Sequence, residues 1–95
     1  MSAAGDNSSW SQWVGQVVVV DTDSHYVYIG TLVSVLDNFL ELKDADVHDR
    51  GEGLSTKEKY VMEVRRFGVK PNRKEVSIRK TTIVSVSRLE DILLY

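Results

Sequence analysis

A chain of 95 residues, 42% apolar and 27% charged, has the size of one domain with a small core. It has no cysteine, which excludes disulfides and thiolate metal sites, and no apolar run approaches the roughly 20 residues of a membrane-spanning helix. The net charge of −2 is unevenly divided: residues 1–54 carry two basic side chains against nine acidic, and residues 55–95 ten against five. Such asymmetry suits either a face turned toward nucleic acid or complementary faces that meet between subunits.

In chain order, residues 1–9 are small and polar and read as a disordered tail. A serine before Trp10 can cap a short helical turn that Gly15 ends. Trp10, Trp13 and Val14 share one side of that turn, where the rings cover an open end of the core. A stacking platform for bases is the other use for such rings. Gln16–Val20 is a strand rich in valine, and Asp21–His25 supplies turn residues. Tyr26–Val35 is the second strand, in which Gly30 marks a sharp bend or a close backbone approach. After the Leu36–Asp37–Asn38 turn comes a third strand, Phe39–Lys43.

Residues 44–53 read as a polar connection. Asp44, Asp46 and Asp49 do not have the spacing of a calcium loop, because Asp49 stands where glycine is needed, so no metal is expected. Ser55 and Glu58 have the form of a capping box. Tyr60, Val61, Val64 and Phe67 follow at helical spacing and Gly68 supplies the stop, which predicts a helix over 56–67. Pro71 lies in a loop over 69–74. Val76–Arg79 and Ile83–Arg88 are two strands around a break at Lys80-Thr81-Thr82, with Arg79 at the joint. Leu89, Ile92 and Leu93 suggest a last apolar turn or a strand tail.

Short strands with tight turns and no alternation of strand and helix indicate a small antiparallel barrel. No nucleophile pattern surrounds His25 or His48, and no phosphate-loop or zinc-protease motif is present, so catalysis is not expected. No cofactor is implied.

The sequence resembles the Sm-like (LSm/Hfq-type) proteins over about residues 10–43 and 75–89. Gly15, Val17, Val19, Gly30, Leu32, Asp37, Leu40, Leu42 and Asp44-Ala45 follow the order of that family's first motif. Ile78-Arg79-Lys80-Thr-Thr-Ile83-Val-Ser-Val86 follows the second, with Lys80 in place of a glycine. The resemblance implies a mainly β fold: a five-stranded antiparallel open barrel of the SH3-like kind with a short N-terminal helix. The single domain would cover 10–95, with 44–74 an enlarged variable loop that inserts a helix between the third and fourth strands.

The resemblance also implies single-stranded RNA as partner, self-association into a closed cyclic ring, and a cytoplasmic role in RNA processing or as an RNA chaperone. The RNA site would comprise Arg79 and Lys80 with Asp37, Asn38 and Phe39. Asn38 corresponds by type, and Phe39 by position, to the asparagine that contacts the base in the family. Val76 and Ile78 on one strand, and Ile83, Val84 and Val86 on the next, would join neighbouring subunits. The alternative is a non-catalytic scaffold or adaptor on the same fold that binds no nucleic acid. The acidic first half, Lys80 and the inserted helix favour that alternative.

Overall fold

A computed structural model describes residues 9–49 and 56–94. Five strands form one antiparallel sheet: β1 (Val17–Thr22), β2 (Tyr26–Val35), β3 (Phe39–Asp49), β4 (Arg73–Arg79) and β5 (Ile83–Arg88). Their order is β4-β3-β2-β1-β5, so β4 and β5 are the two edges of an open barrel. A helical turn over 9–11 precedes β1. One helix, α1 (Lys57–Phe67), lies between β3 and β4, as expected from the sequence. The expected disordered tail falls outside the described residues except for Ser9, which is helical.

The sheet buries both faces, which explains the runs of valine and isoleucine without polar alternation. Val18, Val20, Leu32, Leu40, Leu42, Ala45 and Ile78 form the barrel interior, and Trp10 and Trp13 pack against it. The tryptophans therefore cover the core. On the opposite face, Val19, Val27 and Ile29 meet Val61 and Val64 of α1. Leu89 and Ile92, at the end of the chain, complete this second cluster. Phe67, placed at helical spacing with those valines, is instead 71% exposed.

Helix α1 is capped by Thr56, whose side chain accepts from the Lys59 N–H, and it ends at Gly68, whose N–H reaches the Val64 carbonyl. Ser55, the cap expected from the sequence, lies outside the described residues. Lys57 pairs with Asp21 and so ties the start of the helix to β1.

The bend of β2 is visible in its register. Bulges interrupt its pairing with β3 between Ile29 and Thr31 and between Leu32 and Ser34. A Cβ built on Gly30 would lie 2.9 Å from both Cα and Cβ of Ala45, so the close approach expected there is present. Asp44 has φ 49°, an αL geometry that aspartate tolerates better than most residues. The irregularity shifts the inward parity from Leu42 to Ala45, three residues on.

β3 runs to Asp49, six residues beyond the expected end at Lys43, and β4 starts at Arg73 rather than Val76. The polar 44–49 segment is a strand because it pairs with Tyr26–Ile29. Asp46 and His48 are placed on the α1 side. The phenol of Tyr60 donates to Asp46 at 2.5 Å, and its ring stacks on His48 at 3.8 Å. Among the described residues no helix is long and apolar enough to cross a membrane.

Candidate functional site

The turn between β2 and β3 and the joint between β4 and β5 come together at one corner. Asp37-Asn38 is a two-residue turn closed by the Leu36 N–H donating to the Phe39 carbonyl at 2.8 Å. The joint is a 3₁₀ turn, Lys80–Thr82, held by the Thr82 hydroxyl donating to the Arg79 carbonyl at 2.7 Å. The two meet where the Lys80 N–H donates to the Asn38 carbonyl at 2.9 Å. A further bond, from the Asp23 N–H to the Thr82 carbonyl at 2.8 Å, fixes the joint to the turn after β1. All of these are main-chain or local bonds, so the corner is set by the strand register and not by the side chains it displays.

Phe39 and Arg79 are register partners across β3 and β4. Opposed residues on an antiparallel pair project to the same side, and here the Arg79 guanidinium lies 5.7 Å from the Phe39 ring centroid. Both residues are exposed. Among the described residues Arg79 has no ion pair. The Lys80 ammonium lies 5.8 Å from the Trp10 ring centroid. Consecutive residues of the joint thus each make a cation–aromatic pair, exposed at Arg79 and half-buried at Lys80, and the turn they meet carries exposed Asp37 and Asn38. Lys80 needs no left-handed backbone, since Asp44 is the sole non-glycine residue with positive φ among those described. The glycine it replaces in the motif is therefore not required here by backbone conformation.

Glu41 was absent from the sequence-based site. It occupies the next row on the same face of β3, two residues from Phe39. It is the register partner of Ser34 on β2 and of Ser77 on β4. The Ser34 hydroxyl donates to Oε1 at 2.9 Å and the Ser77 hydroxyl to Oε2 at 3.1 Å. A lone glutamate inside a Leu-Glu-Leu strand gives no hint of this; only the three-strand register brings the serines to it.

The residues expected to join subunits divide by burial. Ile78 is 3% exposed and belongs to the barrel interior, so it can offer a neighbour only its main chain. Val76, Ile83 and Val86 are half-buried against the same core, whereas Val84 is 65% exposed. Among the described residues β4 pairs only with β3 and β5 only with β1, which leaves one main-chain edge open on each.

Two clefts flank α1. One, of about 350 Å³, is lined by Val17, Val64, Arg65 and Leu89, among others. The other, of about 170 Å³, lies by Tyr60, Val64 and Phe67. Neither touches the Phe39–Arg79 corner. Among the described residues no cluster of three or more His, Asp or Glu side chains could hold a metal ion.

No family model matches the sequence, and no curated protein matches it. Among solved structures, an Sm protein of Pyrococcus abyssii in complex with a uridine heptamer superposes with a TM-score of 0.58. The alignment covers 85% of this chain and 93% of that one, at 17% identity. Together with five antiparallel strands in one sheet, a helical turn before the first and a helix between the third and fourth, this similarity shows that the chain has the Sm-like fold.

Proposed function

We propose that the protein binds single-stranded RNA at the Phe39–Arg79 corner and does so as a ring of identical subunits. The observation that carries this reading is the Arg79 guanidinium over the Phe39 ring, on an exposed corner of the Sm-like fold. A planar cation beside an aromatic face is the surface on which unpaired bases stack. Lys80 adds positive charge at the same turn for the phosphates, and Asp37 and Asn38 border the site. The Pyrococcus protein was solved with a uridine heptamer, which supports an RNA ligand for this fold.

The two open edges support the ring. β4 of one subunit pairs with β5 of the next, with Val76 and Val84 flanking the junction. Main-chain pairing of this kind removes both edges and closes under cyclic symmetry. Each subunit then presents its own corner, so that weak contacts along one strand add through effective concentration. The role is binding, in RNA processing or as an RNA chaperone, rather than catalysis.

Fluorescence anisotropy with labelled oligoribonucleotides at low and moderate salt tests the reading. Binding that weakens with salt and with Arg79→Ala is expected. No binding by the assembled protein at low salt removes it. Light scattering after size exclusion tests the ring, which a strictly monomeric protein at micromolar concentration excludes.

A further inference from the structure

We propose, resting on that RNA-binding reading, that Glu41 is the residue that reads the base. It selects bases that carry an exocyclic amino group, and purines above pyrimidines.

Glu41 stands on the same face of the sheet as the Phe39–Arg79 pair, one row along. Two residues of strand span about 7 Å, which is within the width of a base stacked on Phe39. The carboxylate is held from both sides by Ser34 and Ser77, so its position is fixed before any ligand arrives. A carboxylate offers about four acceptor sites and no donor, and two are taken by the serines. The remaining capacity faces a ligand that must donate.

The chemistry then sorts the bases. Adenine, cytosine and guanine present amino donors at N6, N4 and N2, while uracil presents its O4 carbonyl where cytosine has its amino group and has only the N3–H to give. An acceptor facing an acceptor is repulsive, so uracil is disfavoured at the very edge where adenine gains a charge-assisted bond. Stacking points the same way. Phe39 has no polar edge of its own, and where stacking dominates, preference follows stacking strength. A purine covers more of the Phe39–Arg79 surface than a pyrimidine does. Amino donor and ring size both favour the purines, of which adenine is the one tested; cytosine satisfies only the first and uracil neither.

Competition anisotropy with oligo(A), oligo(C) and oligo(U) of equal length tests the assignment. The wild-type protein is expected to bind oligo(A) about tenfold more tightly than oligo(U), with oligo(C) between them. In Glu41→Gln, which keeps an acceptor for a serine and adds a donor, the ratio of oligo(A) to oligo(U) falls toward the smaller preference that stacking alone leaves, and oligo(U) binding is kept. Glu41→Asp keeps the charge but shortens the reach and also lowers the ratio; a circular-dichroism melt confirms that both variants fold. Phe39→Leu weakens all three oligomers, oligo(A) the most. Oligo(U) binding as tightly as oligo(A), or a ratio unchanged in a folded Glu41→Gln protein, overturns the assignment while leaving RNA binding intact. Failure of all three to bind at low salt overturns the RNA reading itself, and this assignment with it.

Discussion

Asn72 binds Val47 with both atoms of its side-chain amide, as a main-chain peptide group of a paired strand would. Its Oδ1 accepts from the Val47 N–H at 3.0 Å and its Nδ2 donates to the Val47 carbonyl at 3.1 Å. The same Nδ2 also reaches Asp46 Oδ1 at 3.1 Å, and the Asn72 N–H donates to the Ala45 carbonyl at 2.9 Å. β4 stops at Arg73, so this amide continues the ladder by one step along the overhanging end of β3. Pro71, just before it, has no N–H and cannot extend the pairing. The result covers a strand edge that would otherwise invite a second chain.

Asn72→Ala should lower stability by about 1–2 kcal/mol, the loss of three exposed side-chain hydrogen bonds. Asn72→Asp should cost more than alanine. Its carboxylate can still accept from Val47 but has no donor, and it faces the Val47 carbonyl and Asp46. Urea unfolding of the three proteins checks the order Asn, Ala, Asp. Hydrogen exchange at the Val47 amide should quicken in Asn72→Ala, and equal protection there would contradict the pairing role.

Gly30 makes a second prediction because its neighbours are mostly main chain. A Cβ there would lie 2.9 Å from the Ala45 Cα and 3.0 Å from the Lys43 carbonyl oxygen. Neither atom can swing aside without moving β3. Gly30→Ala should therefore destabilise by about 1–3 kcal/mol, as overpacking does. Adding Ala45→Gly removes one clashing atom but leaves the Cα, so the double variant should recover only part of the loss. Full recovery in a denaturant titration would show that the contact is set by the alanine methyl and not by the backbone.

Gly30 also shows what was legible in the sequence. A glycine inside a run of β-branched and aromatic residues can be read as a close approach, and the number of strands follows from turn residues between apolar runs. The two tryptophans and helix α1 announce themselves by spacing and caps. The 44–49 segment does not, because Asp-Ala-Asp-Val-His-Asp has little strand propensity of its own. It is a strand by virtue of its partner on β2 and of Tyr60 lying over Asp46 and His48. The site divides in the same way. Arg79 and Phe39 are visible as a cation at a joint and an aromatic after a turn, but their pairing is a matter of register. Glu41 is invisible until Ser34 and Ser77, 7 and 36 residues away, are placed beside it.

Tyr60 gives the fold a dependence on alkaline pH. Burial, with the hydrogen bond to Asp46 and the charge of that carboxylate, pushes its phenol well above the usual tyrosine range. The folded protein therefore holds this proton more tightly than the unfolded chain, whose tyrosines titrate near pH 10. Below that pH the contribution is fully present; above it, stability falls as pH rises. The melting temperature should drop between about pH 9.5 and 11, and Tyr60→Phe should show a shallower drop over the same interval. Parallel curves for the two proteins would place the alkaline sensitivity elsewhere.

The Phe39–Arg79 pair should matter little to folding and much to binding. An exposed cation–π contact is worth about 0.5–1 kcal/mol, so either truncation should shift the unfolding midpoint only slightly. For RNA, loss of one base stack costs about 1–3 kcal/mol. Arg79→Lys separates the two parts of the arginine's contribution. The ammonium keeps the charge but loses the plane on which a base lies. Affinity should therefore fall while the slope of log affinity against log salt is kept. Arg79→Ala should lower the affinity further and reduce that slope by about 0.7, the value for one phosphate contact on a single strand. A double-mutant cycle with Phe39→Leu should show coupling in RNA affinity, as the proposed sharing of one base between the two side chains requires. Strict additivity, with the salt slope unchanged in Arg79→Ala, would mean that the guanidinium touches neither base nor phosphate and that the strand passes elsewhere on the protein.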